Sequence, residues 1–309
     1  MDADVRRLES GAIPVTDLSG GVDLQATIEC GQTYLWSRED GRMFEDQPAT
    51  GGSAWYWTAH DGEFVRVRQR DGRLEWESTT DAEPLLREWL RLDDDLRAIS
   101  ERWPDDRMVR DAYNAFEGLR IVRDPPFRTL VSFICSAQMR VSRIHAMVTG
   151  IAGQYGDPVR VPGPDGDPRT YHDFPAPETL AEATGADLRE LSLGYRAPYV
   201  ARTAEMVADG THPEPAREMP YDEAREHLTG FVGVGEKVAD CVLLFSLDHL
   251  EAVPLDTWIR TAIEEHYPDC ARGNYEETSR AVRECFGDEY AGYVQTYVFY
   301  AMRTGEVDS

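Results

Sequence analysis

The chain has 309 residues, which is long enough to bury a sizeable core and to form two domains. Its formal net charge of −25, taken alone, argues against a nucleic-acid partner, because an acidic surface repels phosphates. Abundant carboxylates beside a single lysine instead predict a halophilic protein, and molar salt, with a Debye length of about 3 Å, screens that repulsion and leaves DNA binding open.

The cysteines and the apolar runs bear on the compartment of the protein. The five cysteines form no C-x-x-C pair and no regular framework, which predicts free thiols in a reducing compartment. No apolar run has the length of a bilayer span, and the polar start of the sequence lacks a signal-peptide pattern. The sequence therefore predicts a cytoplasmic protein without a membrane segment.

Residues 28–78 alternate between apolar and polar side chains with a period of two. Asp-Gly pairs at 40–41, 61–62 and 71–72 interrupt this stretch, and such pairs fit the positive φ angles of tight hairpin turns. In the last hairpin the apolar side chains share one face and the arginines share the other. The pattern predicts an antiparallel sheet with one buried face.

From about residue 82 the apolar period changes to 3.6, which predicts helices. Residues 157–177 are rich in Pro, Gly and Asp and predict an exposed loop insertion. The helical segments are 83–92, 128–138, 143–155, 188–193, 199–210, 221–231, 236–247 and 257–267. The predicted fold class is α+β, with an N-terminal antiparallel β-sheet domain over 1–117 followed by a mostly α-helical domain over 118–309 that contains a helix-hairpin-helix.

The segment GVGEKVADC contains Lys237, the only lysine among the 32 lysines and arginines of the chain. An amine can lose its proton and act as a nucleophile, whereas a guanidinium stays charged, so a retained lysine favours covalent chemistry. A surface lysine without a special role is the alternative. Gly233 and Gly235 allow a sharp turn whose N–H groups fit a phosphate, although a helix-capping glycine pair explains them as well. Cys241 lies at i+4 from the lysine, on the same helix face.

Asp256 follows in the segment VPLDTW, directly before a predicted helix. That position predicts an N-cap. A capping carboxylate also carries the negative charge that would stabilise a positively charged sugar intermediate. The two interpretations are compatible, and both stay open at this point.

Several motifs together resemble the helix-hairpin-helix DNA glycosylase superfamily, and most closely its eukaryotic-type 8-oxoguanine DNA glycosylase/AP lyase members. The resemblance covers roughly residues 22–303 and rests on motifs in the family's order. They are ECGQTYLW (29–36), FRTLVSFICSAQ (127–138), LGYRAPYV (193–200), GVGEKVADC, VPLD and YAGYVQTYVFYA (290–301). The resemblance implies excision of 8-oxoguanine from double-stranded DNA through a lysine Schiff base, followed by β-elimination.

The resemblance also implies a role for each matching residue. Lys237 would attack C1′ of the damaged nucleotide, and Asp256 would stabilise the developing oxocarbenium ion. The residues that hold the extruded base would be Gly31, Cys241, Gln295 and Phe299. The residues that contact DNA would be Gln138, Arg143, Tyr195, Arg196, Gly233 and Gly235.

The sequence departs from the family pattern at two places. Residues 137–140 (AQMR) stand where the family commonly has an asparagine run, and Trp258 stands where it often has a histidine. The resemblance further implies that the protein needs no redox cofactor and no catalytic metal. It also implies a monovalent cation at the hairpin carbonyls and a protein that acts as a monomer.

Three alternatives compete with this interpretation. A monofunctional alkylbase glycosylase would use Asp256 to activate water, but would leave the lysine without a role. An endonuclease III-like enzyme would need four clustered cysteines for its iron–sulfur cluster. A non-enzymatic helix-hairpin-helix DNA-binding protein would explain the glycines but neither Lys237 nor Asp256. Borohydride trapping on abasic DNA separates Schiff-base formers from the others.

Overall fold

The computed structural model describes residues 5–45 and 53–307 of the chain. Five antiparallel strands form one N-terminal sheet in the order β1-β5-β4-β3-β2. The strands are β1 (Glu9–Pro14), β2 (Ser37–Arg38), β3 (Tyr56–His60), β4 (Glu63–Arg70) and β5 (Arg73–Ser78), with helix α1 (Leu24–Glu29) between the first two. The helices between this sheet and residue 155 are α2 (Glu83–Trp89), α3 (Leu96–Ser100), α4 (Arg107–Ala115), α5 (Pro126–Cys135) and α6 (Val141–Tyr155).

Two of the three Asp-Gly pairs form the tight hairpin turns that they predicted, whereas Asp40-Gly41 follows β2 without joining it directly to β3, which begins at Tyr56. Asp61 and Gly62 have φ angles of 51° and 78°, and Asp71 and Gly72 have φ angles of 48° and 73°. Two consecutive positive φ angles are the geometry of the tight turn that joins twisted antiparallel strands. The β3–β4–β5 meander is therefore confirmed.

The part of the sheet before β3 differs from the prediction. Strand β1 lies before the alternating stretch and pairs along β5, and the sequence did not predict it. Residues 24–29 form helix α1, whose first turn is capped by the Asp23 carboxylate accepting from the Ala26 N–H at 2.9 Å. The prediction of continuous strands from residue 28 is wrong for this part, because the capped apolar turn of α1 packs into the core instead.

Residues 157–177 are not the exposed loop that their composition predicted. They form a second antiparallel hairpin of β6 (Pro158–Pro162) and β7 (Pro168–His172). Val159, Val161 and Tyr171 are buried against the outer face of the first sheet, where the rings of Tyr171 and Phe64 lie 4.5 Å apart. The sequence predicted that only one face of the sheet is buried. This holds for the part of the outer face that the β6–β7 hairpin does not cover.

The C-terminal part of the described chain is almost entirely helical. Its remaining helices are α7 (Pro177–Ala181), α8 (Gly185–Glu190), α9 (Ala197–Ala208), α10 (Tyr221–Thr229), α11 (Glu236–Ser246), α12 (Thr257–His266), α13 (Tyr275–Cys285) and α14 (Ala291–Thr304). Helix α11 is buried from Val238 to Ser246 and forms the centre of this part. The α+β fold class is confirmed.

The main hydrophobic core joins the sheet to the helices. One cluster of buried side chains runs from Ile13 in β1 to Val307 after α14. The division into domains at residue 117 therefore stays a prediction. None of the helices within the described ranges is both long and apolar enough to cross a membrane.

Candidate active site

Helices α10 and α11 and the turn between them form the predicted helix-hairpin-helix. Gly233 has a φ angle of +85°, and a Cβ atom there would lie 2.6 Å from the Cβ of Tyr199 in α9. Glycine is therefore required both by the backbone angle and by the close approach of α9. The Thr203 hydroxyl of α9 donates to the carbonyl of Val232 at 2.8 Å and fixes the turn further. Gly235 is the N-cap of α11, and a Cβ there would have nothing within 4 Å.

Lys237 lies in the first turn of α11 and is half-buried. Its Nζ donates to the Ser136 Oγ at 3.0 Å. The Ser136 hydroxyl donates its own proton to the Phe133 carbonyl at 2.7 Å, so its lone pairs are directed to the amine. The amine also lies 5.3 Å from the centroid of the Phe133 ring. Helix α5 and the residue that follows it thus orient the only lysine of the chain.

Cys241 lies one helical turn beyond the lysine and is buried. Burial raises the pKa of its thiol to about 12, and the neighbouring Lys237 amine opposes that rise. The interaction of the two side chains confirms that they share a helix face. A thiol with so high a pKa stays protonated near neutral pH, so Cys241 provides a small apolar wall rather than a second nucleophile.

Asp256 is the N-cap of α12, as predicted from its position in the sequence. Its Oδ1 accepts from the Ile259 N–H at 2.9 Å. Its charge contributes to the raised pKa of the Cys241 thiol and of the Tyr34 phenol, so the carboxylate lies within electrostatic range of both groups. Lys237 and Asp256 are therefore both electrostatic neighbours of Cys241. These residues, Lys237, Cys241, Asp256 and Tyr34, are called the amine pocket below.

Tyr34 and Arg303 belong to this site although the sequence analysis assigned them no role. Burial raises the pKa of Tyr34 well above its usual range. A Cβ atom on Gly31 would lie 3.0 Å from the Arg303 Nη1 and 3.9 Å from the Tyr34 hydroxyl. Arg303 donates to the carbonyls of Glu29 at 2.7 Å and Cys30 at 2.9 Å. The Arg303 side chain thus holds the backbone that presents Gly31 next to the amine pocket.

Helix α14 supplies two of the predicted base-holding residues. Gln295 is only 5% exposed, and its Oε1 has no hydrogen-bond partner among the described residues. Phe299, one turn further along, is half-buried, and the Arg303 guanidinium lies 5.7 Å from the centroid of its ring. A buried amide oxygen without a partner costs stability, so its retention favours a ligand as the missing donor.

A group of exposed apolar side chains surrounds the hairpin turn. They are Tyr195, Tyr199 and Val232, called the hairpin patch below. Tyr195 is 56% exposed, and its ring meets that of Tyr199 edge-on at 6.3 Å. The patch lies beside the Gly233 turn because Tyr199 packs against that glycine. Exposed rings clustered beside a turn fit a surface that binds another molecule.

The remaining predicted DNA-binding residues lie in two different environments. Gln138, with a φ angle of +56°, and Arg143, in the first turn of α6, are exposed. Arg196 is only 5% exposed: it donates to the Ala137 carbonyl, and its guanidinium lies 4.4 Å from the centroid of the Tyr195 ring. Arg196 therefore supports Tyr195 and the segment before Gln138 in this structure. Its predicted contact with DNA stays a prediction.

A cavity of about 540 Å³ lies between the sheet, α6 and the β6–β7 hairpin and shares Tyr34 with the amine pocket. Tyr34 and His145 are among the side chains that line it. None of the predicted site residues is part of this lining. The size of this cavity therefore does not identify the reacting centre, which is marked by the grouped Lys237, Cys241 and Asp256.

Comparisons with known proteins agree with the fold. The sequence profile described as "8-oxoguanine DNA glycosylase, N-terminal domain" matches residues 14–130, and the profile described as "HhH-GPD superfamily base excision DNA repair protein" matches residues 131–287. A probable N-glycosylase/DNA lyase of Methanothermobacter thermautotrophicus is 32% identical over 323 residues, covering 96% of this chain and 97% of that protein. The N-glycosylase/DNA lyase of Saccharomyces cerevisiae is 34% identical over 204 residues, covering 62% of this chain and 53% of the yeast protein.

A solved structure extends the likeness to three dimensions. The Clostridium acetobutylicum 8-oxoguanine glycosylase/lyase, in complex with double-stranded DNA containing cytosine opposite 8-oxoG, superposes with a TM-score of 0.82 and 26% sequence identity. The match covers 99% of this chain and 100% of that one. The chain therefore belongs to the HhH-GPD superfamily of base excision DNA repair proteins and carries the N-terminal domain of the 8-oxoguanine DNA glycosylases.

Proposed function

We propose that this protein removes 8-oxoguanine from DNA and then cleaves the strand at the resulting abasic site, acting as a bifunctional N-glycosylase/DNA lyase. The observation that carries the proposal is the position of Lys237. The only lysine of the chain lies in the first turn of a buried helix and is held by Ser136. Cys241 lies one turn further along, and the Asp256 carboxylate lies within electrostatic range of that thiol. The relatives that the chain matches are named N-glycosylase/DNA lyases.

Base release would be the first step. The neutral Lys237 amine attacks C1′, so that the bond from Nζ to C1′ forms as the bond to the base breaks, and the proton lost by the amine compensates the charge of the departing base. Asp256 uses its Oδ1 to cap the Ile259 N–H, which leaves its other oxygen to face the positive charge that develops on the sugar. The carboxylate is thus fixed before the substrate arrives.

Strand cleavage would follow on the same lysine. The nitrogen lone pair forms a double bond to C1′ as the bond from C1′ to the ring oxygen breaks, and that oxygen takes up a proton from water, which gives a protonated Schiff base. Water or the departed base then accepts a C2′ proton as β-elimination breaks the bond to the 3′ phosphate, and hydrolysis of the Schiff base returns the free amine. The Ser136 hydroxyl, which accepts from the Lys237 Nζ, keeps the nitrogen between α5 and α11 at the start of the sequence.

Recognition of the damaged base would use the groups around the amine pocket. The Gly31 carbonyl would accept from the N7–H of 8-oxoguanine and would face the N7 lone pair of normal guanine, so repulsion adds to the discrimination. Gln295, with its unpaired buried oxygen, would read the Watson–Crick edge. Phe299 and Cys241 would contact the two faces of the ring.

The DNA backbone and the flanking bases would meet the hairpin. The amides near Gly233 and Gly235 would bind a phosphate, Tyr195 would enter the base stack, and Gln138 and Arg143 would contact the duplex. A monovalent cation at the hairpin carbonyls stays a prediction; the Val232 carbonyl of the turn accepts from the Thr203 hydroxyl. Action as a monomer on nucleoid DNA in the cytoplasm, and a preference for high salt, stay predictions.

None of the competing functions accounts for all the features of the structure. A monofunctional glycosylase or a DNA-binding module gives no role to an oriented amine beside a carboxylate. An iron–sulfur cluster has no ligand group among the residues that the structure describes. The five cysteines are free thiols, in agreement with the prediction from their spacing.

The proposed function is tested by borohydride trapping and by base release on defined duplexes. The protein is incubated with DNA containing 8-oxoguanine opposite cytosine, and parallel reactions contain 3-methyladenine or uracil. We expect a covalent adduct and release of 8-oxoguanine far faster than of the other two bases. Faster release of 3-methyladenine would contradict the assigned base pocket, and release without an adduct would indicate a monofunctional enzyme.

A further inference from the structure

A buried carboxylate links the two segments that carry the reacting groups. Asp240 in α11 is fully buried and lies between two tyrosines. Its Oδ1 accepts from the Tyr221 hydroxyl of α10 at 2.7 Å, and its Oδ2 accepts from the Tyr275 hydroxyl of α13 at 2.7 Å. The Tyr275 oxygen in turn accepts from the Leu255 N–H at 3.1 Å.

This arrangement joins neighbours of the two reacting residues. Asp240 is adjacent to Cys241 and is three residues from Lys237 on the same helix, and Leu255 directly precedes Asp256. The segment before α12 has few regular backbone bonds of its own: the Asp256 N–H bonds the Pro254 carbonyl at 3.1 Å within a tight turn. The Leu255 N–H is therefore a main attachment of this segment to α13 and, through Tyr275, to α11.

The environment of Asp240 determines how the two tyrosine hydroxyls are oriented. Burial raises the pKa of Asp240 to about 6, and the two tyrosine hydroxyls, with Arg225 and Arg283, oppose that rise. A carboxylate that accepts from both tyrosines fixes the proton of each hydroxyl toward itself. The Tyr275 oxygen then has only acceptor capacity left, which matches the Leu255 N–H.

We propose that Tyr275, held by Asp240, is a positioning residue that sets the distance of Asp256 from Lys237. The inference rests on the proposed function and deepens it, because it concerns the geometry in which the carboxylate stabilises the developing charge. Tyr275 itself touches no substrate in this role. It acts by keeping the segment that ends in Asp256 in place against α11.

The chain offers a matched pair of variants for the test. Tyr275→Phe removes the hydroxyl that bonds both Asp240 and the Leu255 N–H. Tyr221→Phe removes the other hydroxyl on the same carboxylate and leaves the Leu255 N–H untouched. Single-turnover release of 8-oxoguanine at saturating enzyme is measured for both, together with DNA affinity, melting temperature and borohydride trapping at a preformed abasic site.

We expect base release by Tyr275→Phe to fall by roughly 10- to 100-fold, the loss typical of a misplaced reacting group, with DNA affinity unchanged. Trapping at a preformed abasic site should stay within about threefold of the wild type, because it needs Lys237 but no base departure. Tyr221→Phe should retain base release within about threefold of the wild type, even if its melting temperature falls as much as that of Tyr275→Phe.

Three results would decide against the inference. Equal loss of base release in both variants would mean that Asp240 acts through general stability. Unchanged base release in Tyr275→Phe would mean that the attachment of Leu255 does not control Asp256. A wild-type protein that neither releases 8-oxoguanine nor forms an adduct would overturn the proposed function, and this inference with it.

Discussion

The amine pocket and the hairpin patch are built from similar numbers of side chains but differ in how those side chains are held. In the amine pocket, Lys237 bonds Ser136, Asp256 caps α12, and Cys241 is buried in α11. In the hairpin patch, both tyrosines are exposed; they contact each other and the turn, and Tyr195 also contacts the Arg196 guanidinium.

This difference indicates that the amine pocket serves the reaction and the hairpin patch serves binding. Groups that act on a developing charge are effective when their positions are fixed beforehand, because no reorganisation is then needed during the reaction. Exposed rings become buried only when a partner covers them, so their contribution appears as affinity. Substitutions in the pocket should therefore change the rate, and substitutions in the patch should change the affinity.

The largest effect is expected for Lys237. Lys237→Gln removes the nucleophile and should abolish base release and adduct formation while DNA affinity stays near that of the wild type. Lys237→Arg should be equally inactive, because a guanidinium does not lose its proton. Gel-based trapping and a binding titration measure the two quantities. An active arginine variant would disprove the role of the lysine as nucleophile.

The next effect is expected for Asp256. Asp256→Asn keeps an oxygen that can cap the Ile259 N–H but removes the charge, so the melting temperature should change little. The rate of base release should fall by roughly two to four orders of magnitude, as for the loss of a preorganised electrostatic group. A lower melting temperature with an unchanged rate per folded molecule would instead show that the residue is a cap alone.

The base-holding residues of α14 should give a smaller effect. Phe299→Ala should cost about 1–3 kcal/mol in kcat/KM for 8-oxoguanine release, the value of one base–aromatic contact. Gln295→Ala should slow 8-oxoguanine release and spare cleavage at a preformed abasic site, where no base remains to be read. Equal losses on both substrates would place Gln295 outside base recognition.

The smallest effect on the rate is expected in the hairpin patch. Tyr195→Ala should weaken DNA binding by about tenfold, within the range for one stacked ring, while the single-turnover rate at saturation stays within about threefold. Tyr195→Phe retains the ring and should bind like the wild type. If Tyr195→Ala slowed the saturated rate as strongly as Phe299→Ala, the division between pocket and patch would fail.

Parts of the fold that depend on local chemistry could be predicted from the sequence. Asp61-Gly62 and Asp71-Gly72 specify their own backbone angles, and Asp256 specifies a cap by its place before a helix. The β6–β7 hairpin was missed because its turn residues dominate its composition. Its buried side chains alternate over only a few positions, and the sheet face that they cover is far away in the sequence.

In the site, too, contacts between residues distant in the sequence could not be predicted. Lys237, Cys241 and Asp256 lie close in the sequence, and their grouping was predicted. Ser136 lies 101 residues from the lysine that it orients, and Arg303 lies 273 residues from the Cys30 carbonyl that it holds. Such contacts arise only when α5, α14 and the segment after α1 pack together, so one sequence without its fold does not reveal them.

The isolation of one amine in an arginine-rich chain also makes the protein a convenient subject for spectroscopy. Reductive methylation with isotope-labelled formaldehyde would introduce a side-chain label at Lys237 alone, with the α-amine as a separate and recognisable signal. The methyl resonance would report the protonation of the amine and its contacts with Ser136 and Cys241 directly. The reacting atom can thus be observed during DNA binding without introducing any mutation.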